Sequence, residues 1–178
     1  MSIATWLSLA VQWWRSKPKF IVTIHNVIHH WRPQEPNSMA LMVEMEIRSE
    51  GSASCARDFQ VSLLTPTGVS IARGRLIPIA AALTIGGIES VGAVTYVPAQ
   101  DLLTRTDLIR RGERIAGVLW LSFAPFWLRV FSHTILQITF KDARGTEWTA
   151  KFPIVDADGK PNMLFGSAGT EQPHAHPG

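Results

Sequence analysis

One cysteine in 178 residues rules out an intramolecular disulfide, so Cys55 reads as a small apolar core residue and nothing argues for an oxidising compartment. Charge is also scarce. Acidic and basic residues make up 17% of the chain against 46% apolar, which is ample for a core and thin for a solvated surface. The net charge of +3 is scattered along the sequence. Only Arg110, Arg111 and Arg114 fall together, and a solvated turn accounts for them better than the basic stripe of a nucleic-acid binder. No apolar run reaches the roughly 20 residues that a membrane-spanning helix needs.

Signatures of chemistry are missing too. The three glycines between Thr84 and Gly92 have no Gly-Lys-Ser/Thr after them, and Ser90 in "GIESVG" misses the nucleophile-elbow spacing. No spacing brings Cys55 or a serine to a histidine and a carboxylate. Glu44 and Glu46 share one strand face, as paired acids must, but Arg48 continues the row, so a solvated sheet face explains them without function. His25, His29 and His30 lack an acid or cysteine to complete a metal site and read as solvated loop histidines. Asp156 and Asp158 before Gly159 lack the later ligands of a calcium loop. The expectation is therefore no catalytic residue, no metal, no cofactor and no enzyme.

Strand patterning is what the sequence does have. From Met39 to Ile47 every odd residue is apolar, while Glu44, Glu46 and Arg48 take even places; period two puts the odd set on a core face. A small-residue turn follows over residues 49–54, with Gly51 supplying a positive φ, and Phe59, Val61 and Leu63 form the return strand. Residues 38–66 thus predict a hairpin. Residues 114–123 are apolar on both faces, which suggests a central strand covered twice. Residues 134–141 and 146–155 predict a closing hairpin in which Leu136, Ile138 and Phe140 face Trp148, Ala150 and Phe152.

The run "MEIRSEGSASCARDFQVSLLTPTG" resembles a pattern of strand, N-x-G or S-x-G turn, "ARDF/W", apolar strand and "P-x-G" found in uncharacterised bacterial proteins with an immunoglobulin-like β-sandwich. "LIRRGERIAGVLWLSF" and "LQITFKDARGTEWTAKF" resemble later strands of that pattern, and Ser49 departs from it where Asn is usual. The likeness covers roughly residues 18–155 and implies a fold, with no catalytic residues attached.

Ahead of that region, residues 1–17 predict an amphipathic helix with a wide apolar face, stopped at Pro18. Trp6, Trp13 and Trp14 beside Arg15, Lys17 and Lys19 suit a membrane interface, with indoles at headgroup level and cations on anionic lipid. The same helix could instead pack on its own sandwich or on a second copy. Phe126, Trp127, Leu128 and Phe131, in the segment 124–131, are candidates for binding a protein partner if they do not pack inward. Residues 156–178 turn rich in Gly, Pro, Asp and His and read as a disordered tail. The expectation is an all-β chain: an immunoglobulin-like antiparallel sandwich over residues 18–155, one short N-terminal helix and a tail. Its function is expected to be that of a cytoplasmic interaction module held peripherally at the membrane; the alternative is a soluble homodimer or complex subunit with no membrane role. No nucleic-acid partner is expected.

Overall fold

The computed structural model describes residues 6–8, 11, 17–30, 38–88, 92–105, 107–124, 134–154 and 162–168. Among these, ten strands follow one another: β1 (Phe20–His30), β2 (Met39–Ser49), β3 (Arg57–Leu64), β4 (Ser70–Ile77), β5 (Leu83–Ile88), β6 (Gly92–Tyr96), β7 (Arg114–Phe123), β8 (Ile135–Lys141), β9 (Glu147–Pro153) and β10 (Leu164–Ala168). They form one sheet in the order β6-β5-β10-β1-β2-β7-β4-β3-β8-β9. The all-β class is as expected. The two-layer sandwich is not: β1-β2-β7-β4-β3-β8-β9 is a nearly closed antiparallel sheet, more barrel than sandwich.

The reason lies in β4. Residues Ser70 to Gly74 pair with β3, and Arg75 to Ile77 pair with β7, so one strand carries the sheet round a corner where a sandwich would break into two. Gly74 sits at the change of partner, and the Phe123 ring lies where its Cβ would be, at 2.8 Å. On the far side β9 returns to β1, with Trp148 edge-on to Phe20 at 5.4 Å between ring centroids.

The alternation in β2 works as the sequence indicates. Met39, Leu41, Val43, Met45 and Ile47 fill the interior together with Leu119, Leu121, Phe123, Leu136, Ile138 and Phe140. Each such side chain contributes roughly 1.5–3 kcal/mol on burial. The outer face of β2 and β7 is covered as well. Met42 and Val118 meet Ile28, Ile85, Ile88 and Tyr96 in a second core, where the β5–β6 hairpin folds over the sheet. This is the double cover expected for residues 114–123. The β8–β9 register also matches, with Leu136, Ile138 and Phe140 opposite Phe152, Ala150 and Trp148.

Four expectations are corrected. The hairpin over residues 38–66 does not form: β2 pairs with β1 and β7, while β3 pairs with β4 and β8. Residues 50–56 are a crossover, held by the Ser54–Ile109 bridge and by Glu50 and Ser52 amides donating to the Lys19 and Lys17 carbonyls. Gly51 is needed for close approach rather than for its φ, since a Cβ there would meet the Lys17 carbonyl and lie 2.6 Å from the Lys19 nitrogen. The histidines belong to β1, not to a loop, and His29 is buried. Finally, residues 164–168 of the expected tail form β10, parallel to β1 and antiparallel to β5.

Candidate functional site

The surface at one end of the sheet gathers cations from four places in the sequence. Lys17 and Lys19 arrive on the irregular segment leading into β1, Arg48 ends the outer row of β2, Arg114 opens β7, and Arg110 and Arg111 stand on the turn before it. That turn is docked on β2: the Gly112 amide donates to the Ser49 carbonyl at 2.7 Å, and the Ser49 amide donates to the Glu113 carbonyl at 3.0 Å. Two shallow, open grooves meet here. Lys19, Arg48, Glu50, Arg111 and Gly112 line one; Glu46, Arg48, Gly112, Glu113 and Arg114 line the other.

Carboxylates answer some of this charge. Lys19 Nζ lies 3.3 Å from Glu50 Oε2, Arg114 Nη1 lies 3.3 Å from Glu46 Oε2, and Arg110 Nη1 lies 4.0 Å from Glu113 Oε1. These pairs are solvent-facing and weak as stabilisers, on the order of 0–1 kcal/mol each. Arg48 and Arg111 have no ion pair among the described residues. The charge at this end suits anions, and both grooves are open to solvent.

Of the residues expected at a membrane, Trp6, Lys17 and Lys19 are all exposed. Trp6 is 63% accessible, with Leu7 at 61% and Val11 at 48%, so these parts of the N-terminal helix are not packed away. Lys17 and Lys19 stand beside the arginine end. Trp13, Trp14 and Arg15 lie outside the described residues, as do Phe126, Trp127, Leu128 and Phe131 of the expected partner segment. Sequence reading missed the joining of Arg48 to Arg111. The two are 63 positions apart, and only the docking of the turn onto the end of β2 brings them to one groove.

Polar groups elsewhere serve the fold. The Tyr96 hydroxyl donates to Glu44 Oε1 at 2.7 Å, and burial, reinforced by that carboxylate, pushes the phenol above its ordinary value. Asp142 is fully buried, which by itself raises a carboxyl; the Thr146 and Arg144 amides and the Trp148 indole outweigh this and hold it below its ordinary value. Among the described residues no group of three acids, histidines or cysteines could hold a metal ion, and no helix is long and apolar enough to cross a membrane.

No family model matches the chain, and no curated protein matches it. In fold it is similar to several solved bacterial structures. One is a candidate lipoprotein, ycdA, of Bacillus subtilis, at TM-score 0.43 and 10% identity, covering 79% of this chain and 38% of that one. The chain thus spans about two fifths of that protein's length. A candidate ApaA protein from Bordetella pertussis matches at TM-score 0.37 and 10% identity over 88% of this chain and 98% of that one. A family 123 glycoside hydrolase from Clostridium perfringens matches at TM-score 0.34 and 11% identity over 87% of this chain and 28% of that one. The expectation of no enzyme is corrected to the extent that a glycoside hydrolase stands among the matched structures. At these scores the likeness carries no activity across.

Proposed function

We propose that this domain is an interaction module that works at an anionic membrane surface on the cytoplasmic side. Its N-terminal helix inserts Trp6, Trp13 and Trp14 at headgroup level, while Arg15, Lys17 and Lys19 meet lipid phosphates. Phe126, Trp127, Leu128 and Phe131 then take a protein partner. One observation carries this reading: residues 17–19, just ahead of β1, are tied through the Lys17 and Lys19 carbonyls to the corner of the sheet that presents Arg48, Arg111 and Arg114. Lys17, Lys19 and the arginine surface therefore share one end of the sheet. Each cation held near an anionic leaflet contributes about 1 kcal/mol, so the lysines and arginines gathered here suffice to orient a weak insertion.

Co-sedimentation with liposomes, for the full chain and for a version lacking residues 1–16, tests the proposal. The full chain is expected to pellet with anionic vesicles, less with neutral ones, and the truncated chain far less with either. Pelleting by neither chain would sink the membrane reading. The exposure of Trp6, Leu7 and Val11 also suits a soluble homodimer that covers them with a second copy. A doubled mass in light scattering that reverts on removal of residues 1–16, with no lipid binding, would favour that alternative.

A further inference from the structure

We infer that Arg48 and Arg111, which line one groove with Gly112, form a binding site for a phosphate monoester. As a lipid site this rests on the membrane reading above; as a phosphate site it does not.

The acids at this end of the sheet are already engaged: Glu46 with Arg114, Glu50 with Lys19, and Glu113 with Arg110. Two guanidiniums are left over, both lining the same open groove. The position of Arg48 is costly for the fold alone. It pairs in register with Arg114 on β7, and like charges directly opposite on neighbouring strands repel. Glu46 answers Arg114, and nothing among the described residues answers Arg48. Its other cross-strand neighbour is Ile21 of β1, which is itself 42% exposed. A bound anion would answer this cation and ease its repulsion with Arg114.

The groove has the shape for one. Gly112 turns the backbone at φ +82 between Arg111 and Glu113, and a Cβ built there meets nothing within 4 Å. The groove is thus free of side chain at Gly112, and the turn is held in place by its bonds to Ser49.

The ligand class follows from the donors. A guanidinium presents parallel N–H groups that match two oxygens of a phosphate, and two guanidiniums supply two such forks. A monoester offers three free oxygens and a charge of about −1.5 to −2. A diester offers only two free oxygens and one charge, so it satisfies one fork. Nucleic acid fits poorly as well, since two arginines in one groove make neither a basic stripe nor a stacking platform. A lipid with a terminal phosphate, such as phosphatidic acid, would present this group at the height where Lys17 and Lys19 meet the membrane.

The test compares vesicles of phosphatidylcholine carrying phosphatidic acid or phosphatidylserine at matched surface charge, using the full chain. R48Q/R111Q is compared with R73Q/R75Q, which removes the same charge from β4; thermal melts verify that both fold. In parallel, inorganic phosphate is titrated against the arginine side-chain NMR resonances. The full chain is expected to favour phosphatidic acid by about tenfold, in keeping with the strength of a charged hydrogen-bonded pair. R48Q/R111Q should lose that preference and R73Q/R75Q keep it, while phosphate shifts the Arg48 and Arg111 signals. If no vesicle binds but phosphate still shifts both arginines, the site stands with a soluble phosphate ester as ligand, and the membrane reading fails. If vesicles bind without preference and phosphate shifts neither arginine, the membrane reading stands and this inference is overturned.

Discussion

The hydroxyl of Tyr96 on β6 donates a 2.7 Å hydrogen bond to Oε1 of Glu44 on β2, and Asn26 Nδ2 on β1 donates to Oε2 of the same carboxylate at 2.6 Å. Three strands are tied at one acid. The bond to Tyr96 fastens the β5–β6 hairpin over the outer face of the sheet, at the rim of the second core formed by Met42, Ile85 and Val118. A buried phenol without a partner would be costly, and Glu44 supplies one.

This contact predicts a pH signature. Tyr96 is the only tyrosine in the chain, so absorbance near 295 nm reads its ionisation directly. Its folded-state value is raised, so its stabilisation is complete below the unfolded value near 10 and is lost as pH climbs past it. Tm should fall between about pH 9.5 and 11, with the phenol ionising only as the chain unfolds. Y96F should lose about 1–2 kcal/mol at neutral pH and show a shallower alkaline decline. A phenol that titrates freely near pH 10 in the intact fold would contradict the buried contact.

Gly51 fixes where the N-terminal segment joins the body. Ala at this position must displace the backbone at residues 17–19, against which a Cβ has no room. G51A is expected to cost about 1–3 kcal/mol, as overpacking does. Amide exchange at Glu50 and Ser52 should accelerate, because their hydrogen bonds run to the displaced carbonyls. If the helix acts with the basic end at a membrane, vesicle binding should weaken as well.

How far the sequence revealed this fold depended on whether the signal was local. The alternation of β2, the double cover of β7 and the β8–β9 register follow from side-chain period within single strands, and they were legible. The partner of β2 was not. Residues 49–54 carry turn chemistry that suits a hairpin, and only the contact of Gly51 with residues 17–19 turns them into a crossover. The corner in β4 was hidden for a like reason, since its sequence carries no sign that Phe123 fills the space beside Gly74. In the candidate site, Lys17 and Lys19 were legible as cations after an apolar run. Arg48 read as one more charge on a solvated strand, because its meeting with Arg111 depends on a docked turn.

Asp142 should govern acid stability. Its carboxylate accepts from the Arg144 amide at 2.8 Å, the Thr146 amide at 2.9 Å and Trp148 Nε1 at 3.2 Å. With its folded value held low, it stabilises above its unfolded value near 4, and this is lost as pH falls through the folded value. Stability should therefore decline from about pH 4 downward. D142A, which strands three donors, should cost about 3 kcal/mol or more. D142N should be milder at neutral pH and show a flatter acid profile, read from denaturant midpoints between pH 2 and 7.

The corner at Gly74 makes the sharpest structural prediction. Phe123 is fully buried and its ring lies where a Cβ on residue 74 would stand, so the ring cannot swing away without opening the core. G74A should cost about 1–3 kcal/mol through this collision. F123L alone should cost a similar amount, through lost packing. Combined, the two should cost clearly less than their sum, because leucine vacates the space that alanine requires; coupling of about 0.5–3 kcal/mol is usual for residues in direct contact. Additive losses in urea unfolding would mean that the ring does not pack on Gly74. The turn of β4 from β3 to β7 would then need another cause, and with it the near-closure of this sheet.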